Sequence, residues 1–121
     1  MRSMVFNEAG VPQRLTDTPV PELRAGELLV AVIRCTLCRS DLHTHAGRRR
    51  EETPTVLGHE IVGRIRAFGP GTLELDAAGV QAKVGDRVTW AVVVGCGKCY
   101  FCSRDLPQKC ESPYKYGHRR L

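Results

Sequence analysis

Short runs rich in Val, Ile and Leu alternate with Gly or Pro about every ten to fifteen residues along the chain. This spacing is typical of strands joined by loops and turns. It therefore predicts a mainly β fold with short helices. The predicted strands are Arg2 to Phe6, Glu27 to Cys35, Thr55 to Phe68 and Asp86 to Val94.

Two segments depart from a simple alternation of apolar and polar residues. The run from Leu28 to Ile33 is continuously apolar, which predicts a strand that crosses the core with both faces buried. A short helix is predicted from Ser40 to Ala46, with Ser40 or Asp41 as its N-cap. Gly69-Pro70-Gly71 lacks the preceding strand, third glycine and following helix of a dinucleotide-binding fingerprint, so we do not predict a nucleotide site there.

Length and composition restrict the class of protein. A chain of 121 residues with 42% hydrophobic content has room for one domain with a modest core. It has no apolar stretch of about 20 residues and no signal peptide, which predicts a cytoplasmic protein without a membrane partner. Its net charge of +5 comes from scattered basic residues, and Arg48-Arg49-Arg50 is followed by Glu51-Glu52, as in a solvated loop. Nucleic-acid binding is therefore not indicated.

Four of the six cysteines form one compact cluster in the sequence. Cys96, Cys99, Cys102 and Cys110 follow the pattern Cys-x2-Cys-x2-Cys-x7-Cys. Four thiolates form a closed tetrahedral shell for a structural zinc ion, and reducing conditions would keep the thiols available. Two disulfides or an iron–sulfur cluster are the alternatives. The two separate Cys-x2-Cys knuckles of a nucleic-acid-binding zinc ribbon are not present in this spacing.

Two further segments each contain one good zinc ligand. These ligands are Cys38 and His59, and a catalytic zinc ion takes three protein ligands and leaves one position open. Alone, either residue is more often structural, but their neighbours favour a site. Glu60 adjoins the histidine, and Asp41 could accept a hydrogen bond from the imidazole nitrogen that does not bind metal. Ser40 and His43 could relay a proton outward.

These two segments, the four-cysteine pattern and Val84-Gly85-Asp86-Arg87-Val88 resemble the zinc-dependent medium-chain alcohol dehydrogenases, with Gly58-His59-Glu60-x2-Gly63-x5-Gly69 as the most specific motif. The resemblance implies a GroES-like, partly open β-barrel over residues 1–121, with a zinc-binding lobe at about 95–111. In this family the barrel is joined to a Rossmann domain that binds NAD or NADP. The chain is therefore expected to be a truncated catalytic domain that lacks the Rossmann domain and is inactive alone.

The resemblance also implies roles for individual residues. Cys38 and His59 would be ligands of the catalytic zinc ion, with Glu60 beside it and Asp41 hydrogen-bonded to the histidine. A third ligand is expected beyond residue 121, which leaves this site incomplete. Ser40 would contact the oxygen of a small alcohol, His43 would pass its proton toward solvent, and Arg39 would contact the cofactor pyrophosphate.

A branch of the family associated with phosphonate catabolism looks most similar at residues 36–43, 48–50, 106–110 and 115–118. In that branch Arg48 to Arg50 would attract an anionic alcohol. Cys35 is expected to be a buried strand residue, His45 a surface histidine, and His118 a neighbour of the active-site cleft. The full-length protein is expected to be a homo-oligomer. A free-standing zinc-stabilised interaction module is the alternative function, but it needs neither a proton relay nor an open metal site.

Overall fold

The computed structural model describes residues 1–117, and His118 lies outside this range. Strands predominate, which confirms the predicted mainly β class. The elements are β1 (Arg2–Phe6), β2 (Arg14–Asp17), β3 (Leu28–Thr36), α1 (Arg39–His45), β4 (Thr55–Val56), β5 (Glu60–Phe68), β6 (Arg87–Thr89), β7 (Val93–Val94), two 3₁₀ helices (Cys102–Arg104 and Pro107–Lys109) and β8 (Tyr114–Lys115).

The strands form three small sheets, ordered β2-β1-β4, β3-β5-β6 and β7-β8. Val5 and Phe6 of β1 are buried, as is Ile65 of β5, which is only 1% exposed. These apolar side chains form the centre of a small core. None of the helices in residues 1–117 is long and apolar enough to cross a membrane.

The antiparallel pair β3 and β5 positions the second predicted site. The end of β3 lies against the start of β5, with Thr36 opposite Glu60. Cys38 lies two positions after the end of β3, and His59 directly precedes β5. Antiparallel pairing therefore brings together two ligands that are 21 positions apart in the sequence.

The register of this pair changes at Ile33. Val32 pairs with Gly63, and Arg34 pairs with Val62, so Ile33 is an extra residue in β3. Such a bulge bends the strand and changes the phase of its side chains. Alternation along the sequence therefore does not predict which residues share a face at the end of β3.

The expectation that Leu28 to Ile33 is buried on both faces is wrong. Val32 is 60% exposed and Ile33 is 48% exposed, and Cys35, expected to be buried, is also exposed. A run of apolar residues indicates a preference for burial, but the layers packed over the strand decide whether burial occurs.

Two predicted long strands are each divided in two. The segment Thr55 to Phe68 contributes β4 to the sheet of β1 and β5 to the sheet of β3. The chain changes direction between them at Gly58, whose φ of +114° is unfavourable for other residues. Asp86 to Val94 divides likewise into β6 and β7, while β2 and β8 were not predicted.

The predicted short helix is present, but its cap differs. Cys38 is the N-cap, and the Asp41 carboxylate accepts a hydrogen bond from the Cys38 backbone N–H at 2.8 Å. Asp41 thus stabilises the first turn from inside the helix and does not act as its cap. His45 is half-buried against Phe6, with ring centroids 6.3 Å apart, which corrects the expectation of a surface histidine.

Candidate metal centres

The four clustered cysteines converge in the lobe between β7 and β8. Their sulfur atoms all lie within 4.8 Å of one another. Cys102 begins the first 3₁₀ helix, and Cys110 follows the second, so these two short helices carry the later cysteines back to the earlier ones. Cys110 is buried and the other three are partly buried.

Backbone N–H groups surround this cluster in the way that thiolates require. Cys96 N–H and Ser112 N–H donate to Cys110 Sγ at 3.2 and 3.4 Å. Backbone hydrogen bonds from Cys102 and Glu111 lower the pKa of the Cys99 thiol to about 6. Removal from water raises the pKa of the Cys102 thiol to about 11. At neutral pH the cluster is therefore partly ionised, and a cation would favour ionisation of the remaining thiols.

The cluster fits a zinc ion. It offers four soft sulfur ligands and no exchangeable oxygen ligand, which is the donor set of structural zinc sites. Gly95 keeps space beside the cluster, because a Cβ at this position would lie 2.7 Å from Cys102 Sγ.

Metal binding to this lobe should depend on pH. Zinc binds thiolates, so protons compete with it at each thiol. The lowered pKa of Cys99 keeps that sulfur ionised down to about pH 6, whereas Cys102 must release a proton at every pH below about 11. We expect the apparent zinc affinity to rise with pH from 6 to 9 and binding to release protons. Calorimetric titration in buffers with different ionisation enthalpies would measure this, and a proton-independent binding enthalpy would contradict it.

A second cluster contains Cys38, His59 and Glu60. One ligand atom from each residue lies within 4.8 Å of the others. The sequence predicted two ligands here, Glu60 beside the metal ion, and a third ligand beyond residue 121. The Glu60 carboxylate does lie next to the other two side chains, within the same 4.8 Å, and the ligand beyond residue 121 stays a prediction.

Asp41 orients the histidine of this cluster. Its Oδ1 lies 3.4 Å from His59 Nδ1, and the two side chains are only 2% and 10% exposed. Asp41 Oδ2 accepts from Cys38 N–H, so one carboxylate contacts the segments of both ligands. A carboxylate at Nδ1 leaves the other ring nitrogen, Nε2, for a metal ion. The donor set of thiolate, imidazole and carboxylate therefore also fits zinc.

An open cavity of about 540 Å³ adjoins this cluster and is lined in part by Thr36, His59, Glu60, Thr89 and Trp90. A second cavity, of about 480 Å³, lies at Pro19, Leu28 and Tyr116 and includes none of the predicted site residues. The first cavity thus gives a small molecule access to the cluster.

The remaining predicted site residues lie on α1. Ser40 is half-buried, and its hydroxyl has no hydrogen-bond partner within residues 1–117. His43 is half-buried in the last turn, and Arg39 is exposed at the first position. None of the three lines the 540 Å³ cavity. Their predicted roles in substrate contact, proton transfer and cofactor binding stay predictions.

Arg49 Nε forms an ion pair with Glu51 Oε1 at 2.8 Å. The Glu51 side chain is only 10% exposed, so this part of the loop is less solvated than predicted. The resemblance to the phosphonate-associated branch stays a prediction.

Comparison with known proteins identifies the family to which this chain belongs. The model of the alcohol dehydrogenase GroES-like domain matches residues 24–118, which include both cysteine-containing clusters. The chain belongs to this family. It is therefore a zinc-type alcohol dehydrogenase domain of the medium-chain class that the motifs resemble.

Three relatives illustrate the match. Zinc-type alcohol dehydrogenase B of Aspergillus flavus is 31% identical over 120 residues, covering 97% of this chain and 26% of the relative. The crystal structure of an alcohol dehydrogenase from Thermotoga maritima superposes with a TM-score of 0.85 and 29% identity, over 98% of this chain and 33% of that one. An alcohol dehydrogenase from Escherichia coli CFT073, solved with NADH, gives a TM-score of 0.81 and 33% identity, over 97% and 32%. The chain thus spans between a quarter and a third of the length of these relatives.

Thr36 was not among the predicted site residues of this alcohol dehydrogenase domain, although it contacts one of them. Its hydroxyl donates a hydrogen bond to Glu60 Oε2. The available signal was a hydroxyl-bearing residue two positions before Cys38, at the end of the strand that follows from the apolar run.

Proposed function

We propose that this chain is the zinc-binding catalytic portion of an alcohol dehydrogenase that oxidises a small alcohol to an aldehyde or ketone with NAD or NADP. The observation that carries the proposal is the cluster of Cys38, His59 and Glu60 beside an open cavity. A purely structural metal site does not need solvent access, and the four-cysteine lobe already supplies a closed site.

Different residues of the chain would bind the metal ion, orient its ligands and transfer the proton. Cys38 and His59 would hold the metal ion, with Glu60 as a third, carboxylate ligand. A zinc ion held there supplies Lewis-acid chemistry, which lowers the pKa of an alcohol. Asp41 would fix the orientation of His59, and the hydroxyl of Ser40 would accept a hydrogen bond from the alcohol and pass on its own proton as it takes that of the alcohol. His43 would carry that proton toward solvent.

The relatives support the cofactor part of this proposal. The E. coli relative is solved with NADH, and this chain covers 32% of it. We therefore propose that residues 1–121 act as a GroES-like domain with a zinc lobe at about 95–111, and that hydride transfer needs a cofactor-binding region outside these residues. Homo-oligomer formation and a cytoplasmic location belong to the same proposal.

Cobalt substitution tests whether the second cluster is an open metal site. The chain would first be loaded with one equivalent of zinc and then titrated with cobalt. We expect a second, weaker metal site whose visible absorption bands shift when an alcohol such as trifluoroethanol is added, because an open coordination position accepts the oxygen. We also expect no formation of NADH or NADPH by the 121-residue chain alone.

Cys38→Ser is the matched control because it removes one sulfur of the second cluster and leaves the four-cysteine lobe intact. It should abolish the alcohol-sensitive bands while one zinc ion remains bound. Bands that do not respond to alcohols in the unmodified chain would instead favour a zinc-stabilised interaction module.

A further inference from the structure

Thr36 has a contact with the second cluster that the residue roles above do not explain. Its hydroxyl donates to Glu60 Oε2, and both side chains line the 540 Å³ cavity together with His59. We propose that Thr36 is a positioning residue that holds the Glu60 carboxylate at the metal site. This inference rests on the proposed function of that site.

The strand register explains why these two residues meet. Before the bulge, Val32 pairs with Gly63, and continuing this register would place Thr36 opposite His59. The extra residue Ile33 shifts the pairing by one position, so that Thr36 lies opposite Glu60. Directly opposed side chains in an antiparallel pair are close enough for a hydrogen bond. The bulge therefore creates the contact between Thr36 and Glu60.

Glu60 needs such a contact more than the other two ligands do. Cys38 is partly buried at the N-cap of α1, and His59 is packed against Asp41. Glu60 is exposed, and an exposed glutamate can adopt many rotamers that point its carboxylate into solvent. A hydrogen bond from the neighbouring strand selects among these rotamers.

Holding the carboxylate does not prevent it from binding metal. A carboxylate has two oxygens and about four lone-pair sites, so it can accept the Thr36 proton and bind a cation together. Partners of this kind orient metal ligands, and their removal costs about 10-fold to 100-fold in metal affinity. Thr36 is thus expected to tune how readily Glu60 serves as the third ligand.

Replacement of Thr36 by Val tests the proposal because it keeps the shape of the side chain and removes the hydroxyl. In the full chain with zinc in the four-cysteine lobe, we expect Thr36→Val to weaken cobalt binding at the second cluster about 10-fold to 100-fold. The visible bands of the bound cobalt should also change, because water would replace the carboxylate. Thr36→Ser, which keeps the hydroxyl, should restore both affinity and spectrum.

Thr89→Val is the matched control. Thr89 lines the same cavity, but its hydroxyl donates to the Ile61 carbonyl at 2.8 Å and not to Glu60. It should leave the cobalt spectrum unchanged. Circular dichroism of each variant would show that the fold is retained.

A double-mutant cycle separates positioning from a general structural effect. If Thr36 acts through Glu60, Thr36→Val should add nothing to the loss caused by Glu60→Gln. Additive losses, or equal cobalt affinity and spectra in the Thr36→Val and unmodified chains, would overturn the role of Thr36 while leaving the proposed function standing. Absence of any second cobalt site in the unmodified chain would overturn both. If Thr36→Val does not fold, the comparison of Thr36→Ser with Glu60→Gln still decides the matter: a Ser variant that loses the carboxylate signature overturns the proposal.

Discussion

Replacing Cys110 with Ser is expected to remove the structural metal ion and unfold the lobe at residues 95–111. Cys110 is the buried member of the four-cysteine cluster, and its sulfur accepts two backbone N–H groups. The lobe contains only two 3₁₀ helices, and the two-residue strands β7 and β8 lie on either side of it. Structural zinc contributes on the order of 10 kcal/mol in comparable small sites. Zinc content should fall by one equivalent per chain, and limited proteolysis should cut within the lobe.

Cys35→Ser provides the control for this prediction. Cys35 is an exposed thiol on β3 that belongs to neither metal cluster. Its replacement should leave zinc content and protease resistance unchanged. Undiminished zinc content in Cys110→Ser, or metal analysis that finds iron or oxidised cysteine pairs in the unmodified chain, would contradict a structural zinc site.

The four-cysteine cluster could be predicted from sequence because its information is local. All four ligands lie within fifteen positions, and the spacing leaves the sulfur atoms little choice of partners. The lobe itself forms around them with few other contacts. Spacing alone therefore predicts which residues come together in the structure.

The second cluster depends on long-range pairing, which a single sequence specifies less directly. The motifs around Cys38 and His59 indicated two ligands. The contact of Thr36 with Glu60 depends on the register of β3 against β5, and this register is shifted by the bulge at Ile33. A bulge changes the phase of every residue that follows it, so the contact between Thr36 and Glu60 could not be predicted from alternation.

Burial of β3 on both faces is one of the expectations that the structure corrects. The apolar run predicted the strand correctly but not its surroundings, since Val32 and Ile33 remain exposed. Strand propensity is set by the residues of the strand, whereas burial is set by what packs over it.

Gly58→Ala is expected to disrupt the second metal cluster while the four-cysteine lobe survives. Gly58 has a φ of +114°, and a Cβ there would lie 2.5 Å from Cys35 Sγ on β3. The backbone strain should destabilise the fold by about 1 to 3 kcal/mol, and the overpacking should destabilise it by about another 1 to 3 kcal/mol. Because His59 follows immediately, relief of this clash should move the imidazole away from Cys38 and Glu60. Cobalt titration should show no second site, and the free energy of unfolding should fall by about 2 to 6 kcal/mol.

Two variants separate the causes of the expected loss at Gly58. Gly71→Ala introduces a side chain at a φ of +63° with no atom within 4 Å, so it should add a milder left-handed backbone strain without a clash and keep the second cobalt site. Combining Gly58→Ala with Cys35→Ala removes the sulfur that clashes, and it should recover part of the stability while the strain remains. Normal cobalt binding by Gly58→Ala would show that His59 tolerates movement of the residue before it. Recovery in the double variant would instead establish that contact between Cys35 and Gly58 sets the position of the histidine ligand.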